Sequence, residues 1–278
     1  MSAVLFIVAT PIGNLDDMTY RAVETLRQVD RVAAEDTRHS QRLLSHFGLA
    51  KKMLSLHEHN ERERIEPMLN LLKQGQRIAL ISDAGTPLIS DPGFPLVRAV
   101  IGAGVRVTPV PGASSIITAL CAAGLPTDHF CFHGFLSHKN KLRKHQLQAI
   151  SRQQGTHVCL ESTHRIENLI EQIGAQIPDA ELVLAKELTK RYESFIRGTA
   201  LECQQRFNQD RALLKGEFVV LIRIDDSTDG DVLQLDSSHL LQRLMQDLSL
   251  NKAVRMAADI SGKKRNDLYQ LALSIMKK

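Results

Sequence analysis

Carboxylates and glycines gather in four short loops within the first 115 residues: Thr10-Pro11-Ile12-Gly13-Asn14, Glu35-Asp36-Thr37-Arg38, Asp83-Ala84-Gly85-Thr86-Pro87 and Pro111-Gly112-Ala113-Ser114-Ser115. Each follows a short apolar run. Glycine lets backbone approach a bound molecule closely, and free N–H groups at helix starts hold carboxylates or hydroxyls. A single such loop is a turn; four in series point to a small-molecule site. Glu35 and Asp36 are neighbours, so in extended backbone only one faces a given side. Either can serve as a general base, as can Glu187 or His57, with Arg38, Lys186 and Lys190 as cationic helpers. Asp36 also reads as a helix cap.

Other clusters carry less. His57-Glu58-His59 sets two imidazoles on one strand face, but no third ligand stands at a fixed spacing, and no metal is expected. Cysteines 121, 131, 159 and 203 form no C-x-x-C pair. They read as small buried hydrophobes in a reducing, cytoplasmic compartment rather than a disulfide scaffold. Gly102-Ala103-Gly104 follows a helix and precedes a strand, the reverse of a dinucleotide fingerprint.

The net charge of +4 is unevenly placed. Residues 235–278 hold eight basic and four acidic side chains, an excess equal to that of the whole chain. A second acid-free patch spans 138–152. Lys139, Lys141, Arg143 and Lys144 in the patch, and Lys252, Arg255, Lys263, Lys264 and Arg265 in the tail, are the expected contacts to a polyanion. Solvated helix faces are the competing explanation.

The elements that must position these residues alternate. Apolar runs at 4–9, 31–35, 53–57, 77–82 and 105–110 read as strands, with helices at 19–28, 60–74, 94–103 and from Ser115 onward. This is the pattern of an α/β domain with a mainly parallel sheet over 1–124. Strands at 130–135, 157–162, 181–188, 192–198 and 216–224, with helices at 137–153, 165–175 and 199–208, make a second α/β domain over 125–226 with a mixed sheet. A polar acidic linker at 225–231 leads to helices at 238–247, 250–260 and 265–276, a helix-turn-helix-like module over 235–278. No apolar run reaches the ~18 residues of a membrane span. The N-terminus reads as a strand rather than a signal peptide.

The stretches ATPIGNLDDMTYRA, AAEDTRHSQRLL, HEHNERERI, ISDAGTPLISDPGFPLV, PVPGASSIITALCAAGLP, FHGFL, ESTHRI and AKELTKRYE together resemble the ribosomal RNA small subunit methyltransferase I family, within the tetrapyrrole methylase-like superfamily. The resemblance implies two α/β domains with S-adenosylmethionine (SAM) in the cleft between them, usually as a homodimer. It implies methylation of the ribose 2′-hydroxyl of a cytidine in the decoding region of 16S ribosomal RNA. SAM would be held by Pro11, Gly13, Asn14, Asp83, Ala84, Gly85, Thr86, Pro87, Ile89, Ser90, Asp91, Ser114, Ser115 and Ile116. Glu35, Asp36, Arg38, Lys186 and Glu187 would border the reacting atoms. Where the superfamily carries Gly-Asp-Pro, this chain has Gly85-Thr86-Pro87, leaving Asp83 or Asp91 to supply the acid. The first loop likewise lacks the superfamily's Gly-Pro-Gly form. A methylase of a small tetrapyrrole-like substrate and a non-enzymatic nucleic-acid-binding regulator are the alternatives. The basic patches favour RNA over the macrocycle, and the four glycine loops favour an enzyme over the regulator.

Overall fold

The computed structural model describes residues 3–225 and 237–276. By contact density the chain divides into Met1–Ile224 and Asp225–Lys278. Residues 226–231 of the acidic linker, and Asp236, Lys277 and Lys278 of the basic tail, lie outside the described residues.

In the first unit, strands β1 (Val4–Val8), β2 (Arg31–Ala34), β3 (Lys52–Ser55), β4 (Arg77–Ile81) and β5 (Arg106–Val110) form one sheet in the order β3-β2-β4-β1-β5. Every pair in it is parallel. The inner strands are buried on both faces, and for this reason they read as unbroken apolar runs. Helices α1 (Tyr20–Gln28), α2 (Thr37–His46), α3 (Glu61–Lys73) and α4 (Phe94–Gly102) cover the faces. The chain leaves β1 for β2 on one side and leaves β4 for β5 on the other. The loops after β1 and β4 therefore diverge at a topological switch point, the place where open α/β sheets bind ligands.

The second sheet runs β6 (Phe130–Phe135), β7 (Gly155–Ser162), β10 (Glu217–Ile224), β8 (Glu181–Lys186), β9 (Ser194–Gly198). It is mixed: β6 and β7 are parallel and the remaining pairs antiparallel. Helices α6 (Asn140–Ile150), α7 (Ile166–Gln176) and α8 (Ala200–Gln209) belong to this half. Both sheets sit in one compact unit. Helix α5 (Ser115–Ala123), which the division at 124/125 assigns to the first half, packs Ile116, Ala119, Leu120 and Ala123 against Val158, Val183 and Leu221 of the second sheet.

In the second unit, α9 (Ser237–Asp247), α10 (Leu250–Ser261) and α11 (Arg265–Met276) close around Leu241, Val254, Ala257, Leu268 and Ala272. Gly262, in the left-handed region at φ 67°, ends α10, as its position after the helix demands. Ser249 stands at the N-cap of α10 without a side-chain capping bond.

Candidate active site

The loops after β1, β4 and β5 are stitched to one another at the switch point. Thr10 and Gly85 exchange backbone hydrogen bonds of 2.9 and 3.0 Å, and Thr10 Oγ1 donates to the Ser82 carbonyl at 3.0 Å. Thr86 Oγ1 donates to the Ala113 carbonyl at 3.1 Å, tying the β4 loop to the β5 loop. Gly85 has φ 83°, and a Cβ there would stand 3.2 Å from Ile12 Cγ2. Leu88 and Ser90 hold φ of 75° and 69°, and Glu187 and Thr189 hold 51° and 64°. Non-glycine residues reach this region at a cost, and such strain concentrates at functional sites. Ala84 of the first of these loops and Leu188 and Lys190 of the second line one cavity.

A cavity of about 330 Å3 opens between the sheets. Ile12, Ala84 and Ser115 line it from the first, and Glu161, Lys190 and Glu217 are among its lining residues from the second. Apolar walls with a few convergent polar groups are the usual form of a small-molecule site. At its edge Thr189 Oγ1 is buried without a hydrogen-bond partner, 3.1 Å from where a Gly13 Cβ would stand. A nucleoside with an amino-acid tail fits these donors, acids and apolar surfaces, so the lining suits SAM. Beyond the first loop, a second cavity of about 350 Å3 is bordered by Pro11, Gly13, Asp83 and the His39, Arg42 and His46 face of α2. Arg38, Gln41 and Arg42 line an open groove on the outer side of the same helix.

The expected site residues are not all deployed alike. Asn14 caps the turn Leu15–Asp17, its side chain accepting from the Asp16 N–H at 3.1 Å. Ile116 is packed in the core and Pro87 is buried, while Ile89 is exposed on the loop. Ser114 is the N-cap residue of α5, and its neighbour Ser115 lines the cavity. Asp36 is the N-cap of α2 and accepts from the Arg38 and His39 N–H groups at 2.8 and 3.1 Å. Those two bonds, His39's first, hold its carboxyl below the ordinary range. Both bonds end on Oδ1, and this cap together with the lowered proton affinity weighs against Asp36 as the general base. Glu187 is tied as well, since its Oε1 accepts from Lys190 Nζ and from the Glu217 N–H, both at 3.0 Å. Burial pushes its carboxyl up, but these partners outweigh burial and the net shift is downward. Lys186 is buried at the end of β8.

Glu35 and Asp91 differ. Burial, then the nearby Asp83 carboxylate, raises Glu35, although its side chain reaches solvent. Asp91, half-buried, is pushed to about 6 by burial and by the Glu35 and Asp83 carboxylates. An acid whose pKa rises on folding stabilises the fold below its unfolded value, here 3.8, and that contribution is lost as pH rises through about 6. At about 1.4 kcal/mol per pKa unit the rise from 3.8 to about 6 corresponds to about 3 kcal/mol, of which solvent screening leaves roughly 1 kcal/mol for the half-exposed Asp91. Asp91→Asn is therefore expected to raise Tm by about 2–4 °C at pH 8. In parallel melts at pH 4 the difference should vanish; a gap independent of pH would mean that the carboxyl is not held among the others.

One expected RNA contact fails. Arg143 is 3% exposed. Its Nε donates to Gln172 Oε1 at 2.8 Å, and its NH2 group donates to Asn140 and Asn168. It joins α6 to α7, while Lys139, Lys141 and Lys144 stay on the surface. In the C-terminal unit, Lys252, Arg255 and Arg265 converge with Asn251, Asn266 and Tyr269 on a groove of about 360 Å3. Lys263 Nζ instead donates to Ser237 Oγ at 3.0 Å. Sequence reading missed the whole of α2, and with it His39, Arg42 and His46. The Asp36 cap was the signal that could have found it.

A family profile described as Tetrapyrrole (Corrin/Porphyrin) Methylases matches residues 4–204, and one described as RsmI C-terminal HTH domain matches residues 231–276. The chain is 46% identical to the Ribosomal RNA small subunit methyltransferase I of Haemophilus influenzae over 280 residues, covering 100% of this chain and 99% of that one. The chain belongs to the ribosomal RNA small subunit methyltransferase I family. The family member of Escherichia coli O157:H7 is 47% identical, over 97% of this chain and 94% of its own. The family's fold extends to the Uroporphyrin-III C-methyl transferase of Thermus thermophilus, solved in complex with S-adenyl homocysteine. That structure superimposes with a TM-score of 0.55 at 16% identity, over 79% of this chain and 97% of that one. Among the described residues no helix is long and apolar enough to cross a membrane.

Proposed function

We propose that this protein is a SAM-dependent ribosomal RNA methyltransferase that methylates the ribose 2′-oxygen of a cytidine in the decoding region of the small-subunit RNA. The observation that carries the reading is the pairing of the cleft between the sheets with the basic groove on α2. The Asp36 N–H donates to Asp83 Oδ1 at 3.3 Å, tying the start of α2 to the β4 loop whose Ala84 lines the cleft, so a small molecule and a polyanion would meet across that link. The names of the full-length relatives and the complex of the Thermus thermophilus neighbour support it. SAM, when bound, supplies a methyl group already activated on a sulfonium sulfur. The chain's residues then have three tasks. Lys190, Glu217, Ser115 and the backbone of the 84–86 loop orient the small molecule. Arg38 and Arg42 hold phosphates so that the acceptor oxygen lies in line. Glu35, with its raised proton affinity, takes the hydroxyl proton, while Asp36 keeps α2 in register beneath Arg38. The same reading takes the protein to be cytoplasmic and a homodimer with the SAM cleft in each subunit. Exposed Phe94, Ile101 and Ile117 offer apolar surface for a second copy.

The deciding experiment incubates the full chain with methyl-labelled SAM and small ribosomal subunits from cells lacking the protein, then maps the label by mass spectrometry. Label on a single ribose of the decoding region is expected. Label on a base, or on an added tetrapyrrole precursor in place of RNA, would refute the assignment. Glu35→Gln should lower the single-turnover rate by about 10²-fold with SAM affinity little changed. A wild-type rate would take the proton-acceptor role from Glu35.

A further inference from the structure

Cys131 and His133 stand two residues apart on edge strand β6, so an unbroken strand directs both to one face. The strand is not unbroken. Phe132 pairs with Val158 and Gly134 with Cys159, leaving His133 as the extra residue of a β-bulge, with Gly134 at φ 64°. Bulges re-aim a side chain at the cost of a ladder position. The neighbouring strand β7 places His157 opposite Cys131 in parallel register. As a result, Cys131 Sγ and one ring nitrogen each from His133 and His157 all lie within 4.8 Å of one another.

The ring orientation is fixed from behind. His157 Nε2 lies 2.7 Å from the Gln153 carbonyl, which can only accept, so Nε2 carries the hydrogen. In the neutral ring this leaves Nδ1 with a free lone pair, and Nδ1 stands 2.9 Å from His133 Nε2. A metal-binding histidine that donates its other N–H to a backbone carbonyl is the usual second-layer arrangement. His157 is 1% exposed, whereas Cys131 and His133 are half-buried on the edge strand, so an ion has a path in.

We propose that Cys131, His133 and His157 form a binding site for a zinc-class divalent ion, separate from the methyl-transfer cleft and independent of that reading. The ion replaces the proton shared by the two rings, which moves to His133 Nδ1, and the Cys131 thiol loses its proton to solvent. Zinc bonds of about 2.0–2.1 Å to nitrogen and 2.3 Å to sulfur require tetrahedral ligand spacings of roughly 3.3–3.7 Å. From 2.9 Å the two ring nitrogens must part by a few tenths of an ångström and tilt toward the ion, and Cys131 Sγ, within 4.8 Å of them, must close by up to about 1 Å. Thiolate and imidazole donors select zinc, cobalt or nickel over magnesium or calcium. Three protein ligands leave the fourth position to water or an external donor. The ion clamps β6 to β7 across the bulge and so protects the edge strand. The spacing of the chain concealed this set, because its third ligand comes from another strand.

The test uses the untagged full-length chain, stripped with chelator and titrated with Co(II). One equivalent is expected to give a sulfur-to-cobalt charge-transfer band in the near ultraviolet and the intense visible bands of four-coordinate cobalt. Zn(II) should displace it and, at about 100 times Kd, raise Tm by roughly 5–10 °C. Cys131→Ser should lose the charge-transfer band, and His133→Ala should weaken binding by at least about 10-fold, each checked for fold by circular dichroism without metal. Only the weak bands of six-coordinate cobalt on the wild-type chain would overturn the site, whatever the variants do. Equal affinity in wild type and a Cys131→Ser/His133→Ala double variant would overturn it too.

Discussion

Gly85→Val is expected to lower SAM affinity by about 10²-fold or more. Gly85 sits at φ 83°, its N–H bonded to the Thr10 carbonyl at 3.0 Å and its own carbonyl accepting from the Thr10 N–H at 2.9 Å. A side chain in that conformation costs about 1–2 kcal/mol. Its Cβ would press on Ile12 Cγ2 at 3.2 Å, and Ile12 is itself a wall of the cavity. Valine's two methyls then either enter the cavity or force the β1 and β4 loops apart, and overpacking of this kind adds about 1–3 kcal/mol. Together these exceed the roughly 1.4 kcal/mol that corresponds to tenfold in affinity. Gly85→Ala, without the methyls, should lose less. Calorimetry on both variants is the measurement. Wild-type SAM affinity in Gly85→Val would remove this loop from the cofactor site.

Replacing Lys252, Arg255 and Arg265 together by Gln is expected to weaken RNA binding and to flatten its salt dependence. The three cations face one groove, with Asn251, Asn266 and Tyr269 as neutral partners for phosphate and sugar. Arg265 stands 4.0 Å from Asp259, an exposed pair too loose to hold it back from a phosphate. Each lost phosphate contact removes about 0.7–0.9 from the slope of log K against log salt, so the triple variant should lose roughly 2–3. Titrations between low and physiological salt read this directly, and SAM affinity should be unchanged. Lys263→Gln is the control. Its ammonium bonds Ser237, so its loss should loosen the three-helix unit and leave the slope alone. An unaltered slope in the triple variant would make the groove a solvated surface.

Local periodicity explains why so much was legible without coordinates. RIALIS places β4 to within one residue, because a strand buried on both faces admits few polar side chains, and FCFHGF occupies edge strand β6 residue for residue. Thr19 caps α1 where its hydroxyl accepts from the Ala22 N–H, and Gly262 ends α10. These are statements about neighbours in sequence. Helix α2 escaped because its stretch TRHSQRLLSH is polar apart from Leu43 and Leu44, so no apolar run marks it, although it buries one face through Ser40, Leu43 and Leu44.

The sequence by itself determined the alternation of strands and helices, the glycine loops at the strand ends, the basic tail and the family. Only the tertiary structure decided which of those residues meet. Asp36 and Glu35 are adjacent in the chain. One ended as a helix cap with lowered proton affinity, the other as a carboxyl raised by burial and by Asp83, 48 residues away. Arg143 looked like its basic neighbours until α7 brought Asn168 and Gln172 to it. Cys131, His133 and His157 became a cluster only through a bulge and a parallel register. The physical reason is the same in each case. Conformational preference and burial pattern are set by a residue's own side chain and nearest neighbours. Proton affinity, ligation and pairing are set by groups within a few ångströms, and strand order, helix packing and the bulge together choose those.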